Sequence, residues 1–101
     1  MNQQYKELHK RAESLEYRLR DKLDDKQDPI ARKLDDAFKS FIDEIESERH
    51  PKSLEDSAKS IQNLLKSAAN QGDSVMDYSD IDFFDDRFED IRMDLRKFDN
   101  Y

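Results

Sequence analysis

The chain has no cysteine and no tryptophan, and only one glycine and two prolines in 101 residues. Without cysteine there is no disulfide framework, thiolate nucleophile or zinc–sulfur site, which is compatible with a reducing compartment. A single glycine leaves no phosphate-cradling loop, dinucleotide fingerprint or nucleophile elbow, all of which need close backbone approach. The scarcity of turn-forming residues also argues against sheets and loop-built active sites. No stretch approaches the ~18 apolar residues of a membrane span, and the opening Met1-Asn2-Gln3-Gln4-Tyr5-Lys6 lacks the apolar region of a signal peptide, so a cytoplasmic protein is expected.

What the chain has in quantity is charge: 43% of residues are Asp, Glu, Lys or Arg, and 18 basic against 25 acidic residues give a net charge of -7. Such a balance opposes tracking a phosphate backbone or an anionic membrane, so neither direct nucleic-acid binding nor a membrane partner is expected. Leu, Ile, Val and Phe number 22, a little above the fifth of the chain below which a charged sequence stays unfolded. One folded domain over residues 1–101 is the expectation, as a monomer or a homodimer.

The apolar residues recur in steps of three and four, which is helical spacing. The first stripe is Tyr5, Leu8, Ala12, Leu15, Leu19 and Leu23; the second is Ile30, Leu34, Ala37, Phe38, Phe41, Ile42 and Ile45. The third is Leu54, Ala58, Ile61, Leu64, Leu65 and Ala68, and the last is Ile81, Phe84, Phe88, Ile91, Leu95 and Phe98. Asp28-Pro29 punctuates the first boundary and His50-Pro51 the second; Gly72 suits the end of the third helix. Ser53-Leu54-Glu55-Asp56 and Ser79-Asp80-Ile81-Asp82 read as variant capping boxes. The prediction is an all-α, antiparallel up-down-up-down four-helix bundle with helices over residues 3–26, 29–48, 53–71 and 79–98. A coiled-coil dimer through the first helix is the alternative, weakened by Ala12 in a seam of about three heptads.

Catalytic constellations are missing. A di-metal carboxylate bundle needs Glu-x-x-His pairs, but Lys6 precedes His9 by three and Ser47 precedes His50 by three. Asp73, Asp77, Asp80 and Asp82 lack the glycine and closing glutamate of a calcium loop. His50 reads as a solvated turn residue within reach of Glu46. Neither enzyme, metal nor cofactor is expected.

Charge is uneven: residues 73–101 carry 4 basic and 10 acidic side chains. On the last helix Asp82, Asp85, Asp86, Glu89 and Asp90 fall opposite the apolar stripe as an acidic ridge. Acids early and Arg92, Arg96 and Lys97 late also suit the helix dipole, which is a purely structural explanation. The second helix breaks that rule with Asp43, Glu44, Glu46 and Glu48 near its end; Lys6, Lys10 and Arg11, with Arg92, Arg96 and Lys97, are expected to compensate.

Apolar residues outside the stripes are the better lead. Phe83 and Met93 lie off the last stripe, Tyr17 lies opposite the first and Tyr101 is terminal, while Val75, Met76 and Tyr78 add an apolar stretch before the last helix. These loop residues either fold over the bundle end with Phe83 beneath them or form an acidic, aromatic-studded docking surface from Val75 to Met93 for a basic protein partner. The leading expectation is a small acidic helical protein that binds such a partner without catalysis, as an adaptor, inhibitor or antitoxin does. A second is a nucleic-acid mimic that blocks a DNA- or RNA-binding protein, its acids imitating phosphates on a rigid rod. In architecture alone, by size, four helices and an acidic-to-basic final helix, the chain also resembles the small immunity proteins that protect bacteriocin producers.

Overall fold

The computed structural model describes residues 2–23, 28–70 and 76–101. Four helices follow one another: α1 (Gln3–Leu23), α2 (Pro29–Glu46), α3 (Pro51–Ala69) and α4 (Tyr78–Leu95). Sequential helices pack together and run antiparallel, since α1's His9 meets α2's Glu46 and α3's Glu55 meets Arg96 just beyond α4. The result is a four-helix bundle measuring 42 × 20 × 18 Å.

Each helix exists because its apolar stripe must leave water, and the stripes account for nearly all of the interior. Leu19, Leu34, Ile45, Leu54, Leu65, Ile91 and Leu95 are wholly inaccessible. Phe38 of α2 meets two α4 rings edge-on, Phe88 at 5.0 Å and Phe84 at 5.7 Å, and Phe41 meets Phe88 at 5.7 Å. These edge-to-face contacts tie two helices that are diagonal in the bundle, and each adds about 0.5–1.5 kcal/mol beyond area burial. Ile30, Ala37, Ile42 and Leu64 line the rim, only partly covered, while Ala31, outside the expected stripe, is buried.

Helix ends differ from expectation in instructive ways. α3 begins at Pro51, because His50 has the extended backbone that a pre-proline residue favours and its Nδ1 accepts the Lys52 N–H at 3.1 Å. Ser53 therefore lies inside the helix, which frees Glu55 to turn inward. α4 begins at Tyr78 with Asp77 at the cap, and neither Asp77 nor Asp28 makes a side-chain capping bond. Helical bonding in α4 ends at Leu95 rather than reaching residue 98, after which successive tight turns carry Phe98 back onto the core. There its ring meets Tyr5 edge-on at 5.2 Å. The Tyr5 hydroxyl donates to the Arg49 carbonyl at 2.8 Å and accepts from Asn100 at 3.2 Å, so one residue pins α1, the α2–α3 turn and the C-terminal tail together. The predicted stop at Gly72 lies outside the described residues; α3 closes at Ala69 with Asn70 as its cap.

The α2–α3 turn carries a local cost. The Glu48 N–H bonds the Ile45 carbonyl and the Arg49 N–H bonds the Glu44 carbonyl, the paired bonds of a Schellman motif. That motif needs a left-handed residue, and Glu48 supplies it at φ 51°, a conformation glycine holds without a Cβ clash.

Two stability measurements follow from this packing. Phe38→Ala should lower unfolding free energy by about 3–5 kcal/mol in urea titrations, because it removes a ring shared by two α4 contacts, whereas truncating half-covered Phe83 should cost under ~2 kcal/mol. Glu48→Gly should stabilise by about 0.5–1 kcal/mol, while Glu48→Ala should give no gain.

Candidate functional site

Heptad-like spacing places three different surfaces around α4 and its neighbours. On the outer face, Asp82, Asp86, Asp90 and Met93 are exposed, with Met93 at 51% accessibility and Tyr78, at the start of the helix, at 70%. Asp82, Asp86 and Asp90 have no ion-pair partner among the described residues. Asp85 and Glu89 are half-buried instead: Gln62 of α3 donates to the Asp85 backbone carbonyl at 3.3 Å while Asp85 Oδ1 is buried without a partner among the described residues, and Glu89 accepts from Arg92 at 3.3 Å. The ridge read from the helical wheel is thus two rows, one exposed and one half-buried.

The remaining predicted residues separate. Met76 is buried in the core, which withdraws it from any docking surface, and Val75 lies outside the described residues. Phe83 faces α1, half-covered against the core and edge-on to Phe84 at 5.5 Å. Two guanidinium groups lie over its ring, Arg18 at 4.1 Å and Arg87 at 4.7 Å from the centroid. Nothing in the stripes flags Arg18; for Arg87 the i, i+4 spacing from Phe83 is a signal. A groove of about 510 Å³ runs here between α1 and α4.

Compensation of the α2 acids also takes another route. Glu46 bonds His9 at 2.8 Å, whose other ring nitrogen is 3.1 Å from Glu13, so His9 and not His50 is its partner. Glu44 accepts from the Ser57 hydroxyl at 2.8 Å and Glu48 from the Asn2 N–H at 3.3 Å. The basic residues expected there go elsewhere: Arg11 pairs with Asp94 at 2.6 Å, and Arg92 and Arg96 converge on Glu55. Glu55 also accepts from the Tyr101 hydroxyl at 2.7 Å. The hydrogen bonds from Arg96 and Tyr101 hold its carboxyl below the ordinary range.

The third feature is buried between α1 and α2. Glu16, only 4% exposed, accepts from Arg20 at 2.8 Å through Oε1, and Asp35 accepts from Lys39 at 2.8 Å through Oδ2. The remaining oxygens, Glu16 Oε2 and Asp35 Oδ1, are buried without another partner. A proton carried by Glu16 and donated to Asp35 satisfies both at once. Burial, and then the bond shared with Asp35, push the Glu16 carboxyl up to about 7 against the pull of Arg20. Burial alone would raise Asp35 as well, but the bonds from Glu16 and Lys39 outweigh it and hold Asp35 below its usual value. The sequence signal was present: Glu16 follows Ala12 by four on the edge of the stripe, and Glu16–Arg20 and Asp35–Lys39 are both i, i+4 pairs.

Among the described residues no three His, Asp or Glu side chains gather as a metal site, and no helix is long and apolar enough to cross a membrane. No protein-family model, no curated protein and no solved structure matches the chain.

The carboxyl pair predicts an unusual pH dependence. Unfolded Glu16 loses its proton above 4.5, while the folded protein keeps it to about 7, so folding takes up a proton in that interval and stability falls as pH rises through it. The loss should be on the order of 1–3 kcal/mol, levelling off above the folded value. Glu16→Gln, which keeps both a donor for Asp35 and an acceptor for Arg20, should remove this component, read as the difference between denaturation midpoints at pH 5 and pH 8.

Proposed function

We propose that this protein is a non-catalytic binding protein that docks a basic protein surface on the outer face of α4. The observation that carries the reading is the row of Asp82, Asp86 and Asp90 beside half-exposed Met93, three exposed carboxylates in one line with no ion-pair partner among the described residues. Tyr78 and Met93 stand near opposite ends of this face, ~22 Å apart along the helix. Exposed ion pairs add only about 0–1 kcal/mol each, so the carboxylates steer and orient the partner while the apolar ends supply the hold. Adaptor, inhibitor and antitoxin roles all use such a face.

The spacing of the acidic row favours one second reading. Four residues of helix advance ~6 Å, so the three carboxylates form a regular anionic line of the kind a nucleic-acid mimic would present to a DNA- or RNA-binding protein.

Capture from source-cell lysate on immobilised protein tests the face. Met93→Ala should weaken retention at all salt concentrations, and Asp82→Asn with Asp86→Asn and Asp90→Asn should weaken it at least tenfold at low salt. Changes at Lys59 and Asn63, exposed on α3, should have no effect. Equal capture by every variant would remove the proposed face, and a captured protein that duplex DNA displaces while Met93→Ala leaves it bound would favour the mimic.

A further inference from the structure

The groove between α1 and α4 has the opposite sign to the protein as a whole. Two ion pairs tie α1 to α4 along this seam, Arg11–Asp94 at 2.6 Å and Lys22–Asp80 at 3.5 Å. Lys10, Arg18 and Arg87 line the groove together with Arg11, with Asp90 as the acid beside them. Lys10, Arg18 and Arg87 are exposed, and none has a carboxylate at ion-pair distance among the described residues. Arg18 and Arg87 come from different helices yet share one ring, Phe83, which holds two like charges within about a Debye length of each other (~8–10 Å). That arrangement in a chain of net charge -7 is relieved by an anion placed between them.

We infer that this groove is a binding site for a short acidic segment of a partner protein, with carboxylates on the Arg18 and Arg87 forks and one large apolar side chain against the groove floor. A guanidinium lying over a ring uses its face and leaves its N–H edges free for bidentate carboxylate recognition. The floor is apolar, formed by Leu15, Ile91 and the partly covered Phe83, which gives the segment something to bury besides charge. Lys10 lies two turns of α1 from Arg18, ~12 Å along the axis, so the cations form a line that suits an extended segment better than a point anion. A long phosphate backbone is disfavoured, since it would run against Asp82, Asp86 and Asp90 on the adjoining row of α4. This site adjoins the outer face of α4 and shares Asp90 with it; Arg18 and Arg87 belong to the groove alone, and Asp82, Asp86 and Met93 to the outer face alone.

The test is a titration of isotope-labelled protein with a blocked pentapeptide of glutamates around a central leucine, followed by amide chemical shifts. Saturable shifts should centre on Ser14, Arg18, Phe83 and Arg87. Arg18→Gln with Arg87→Gln should weaken binding at least tenfold, and Ser14→Glu, which adds an anion at an exposed position in the groove, should abolish it, both with unchanged helical circular dichroism. A lysine–leucine counterpart should produce no shifts in the groove. Shifts that are absent or centred on Asp82, Asp86 and Met93, or affinity unchanged in the double variant, would overturn the inference. So would inorganic phosphate or a DNA oligonucleotide binding the groove as tightly as the peptide.

Discussion

The bundle depends on a shortage. Only 22 residues are Leu, Ile, Val or Phe, and a stable interior of this size needs almost every one, so the stripes cannot spare side chains for a pocket at the centre. The phenylalanines take the largest share of that task by joining α2 to α4 across the diagonal, through Phe38, Phe41, Phe84 and Phe88. With the centre committed to packing, whatever the protein recognises must be met at the surface or in the seams between helices. The seam of α1 with α4 is bridged by long side chains, Arg11 to Asp94, Lys22 to Asp80 and Arg18 to Phe83, and a groove is left between them.

Polar groups admitted to the rim of the core show two ways of meeting the same cost. Glu55 is covered by Arg96, Arg92 and Tyr101, so its negative charge is satisfied and the tail after α4 is tied down. Glu16 has Arg20 on one oxygen and the Asp35 carboxyl beside the other, so burial and that neighbour favour its protonated form. Both residues sit one position beyond a stripe leucine, Leu15 and Leu54. What distinguishes them is the neighbouring helix: α4 and its tail bring cations to Glu55, and α2 brings Asp35 to Glu16.

The stripes, the helix count and the antiparallel order were legible in the sequence because periodicity of 3.6 is a property of one segment at a time. Pro29 marked a helix start for the same local reason, whereas His50-Pro51 was read as the end of the second helix and Ser53 as the next cap, a place that His50 fills instead. Pairings across helices were not legible. Which cation meets Glu46, or that Arg18 reaches Phe83, depends on the axial stagger and rotation of whole helices, and a charged sequence offers many pairings of similar small energy. Met76 illustrates the same limit from the apolar side, since a residue next to a loop carries no phase information about the face it will join. Of the candidate surface, Asp82, Asp86, Asp90 and Met93 are exposed where the helical wheel put them, because their position follows from the phase of α4 alone.

Net charge conceals two charge patterns on α4. The helix presents free carboxylates outward and, through Phe83 and Arg87, a cationic flank toward α1, so two ligands of opposite sign would meet it about a quarter turn apart. A uniform acidic coat would repel acidic segments at every approach, whereas the groove is lined by Lys10, Arg11, Arg18 and Arg87 with Asp90 as the only acid among its described lining residues. The guanidinium groups are also kept from collapsing onto Asp82 and Asp86 because Phe83 holds them on the α1 side. An aromatic ring half-covered by the core, and therefore fixed in place, separates the two charge patterns; a flexible aliphatic residue at position 83 would hold the two arginines there far less well.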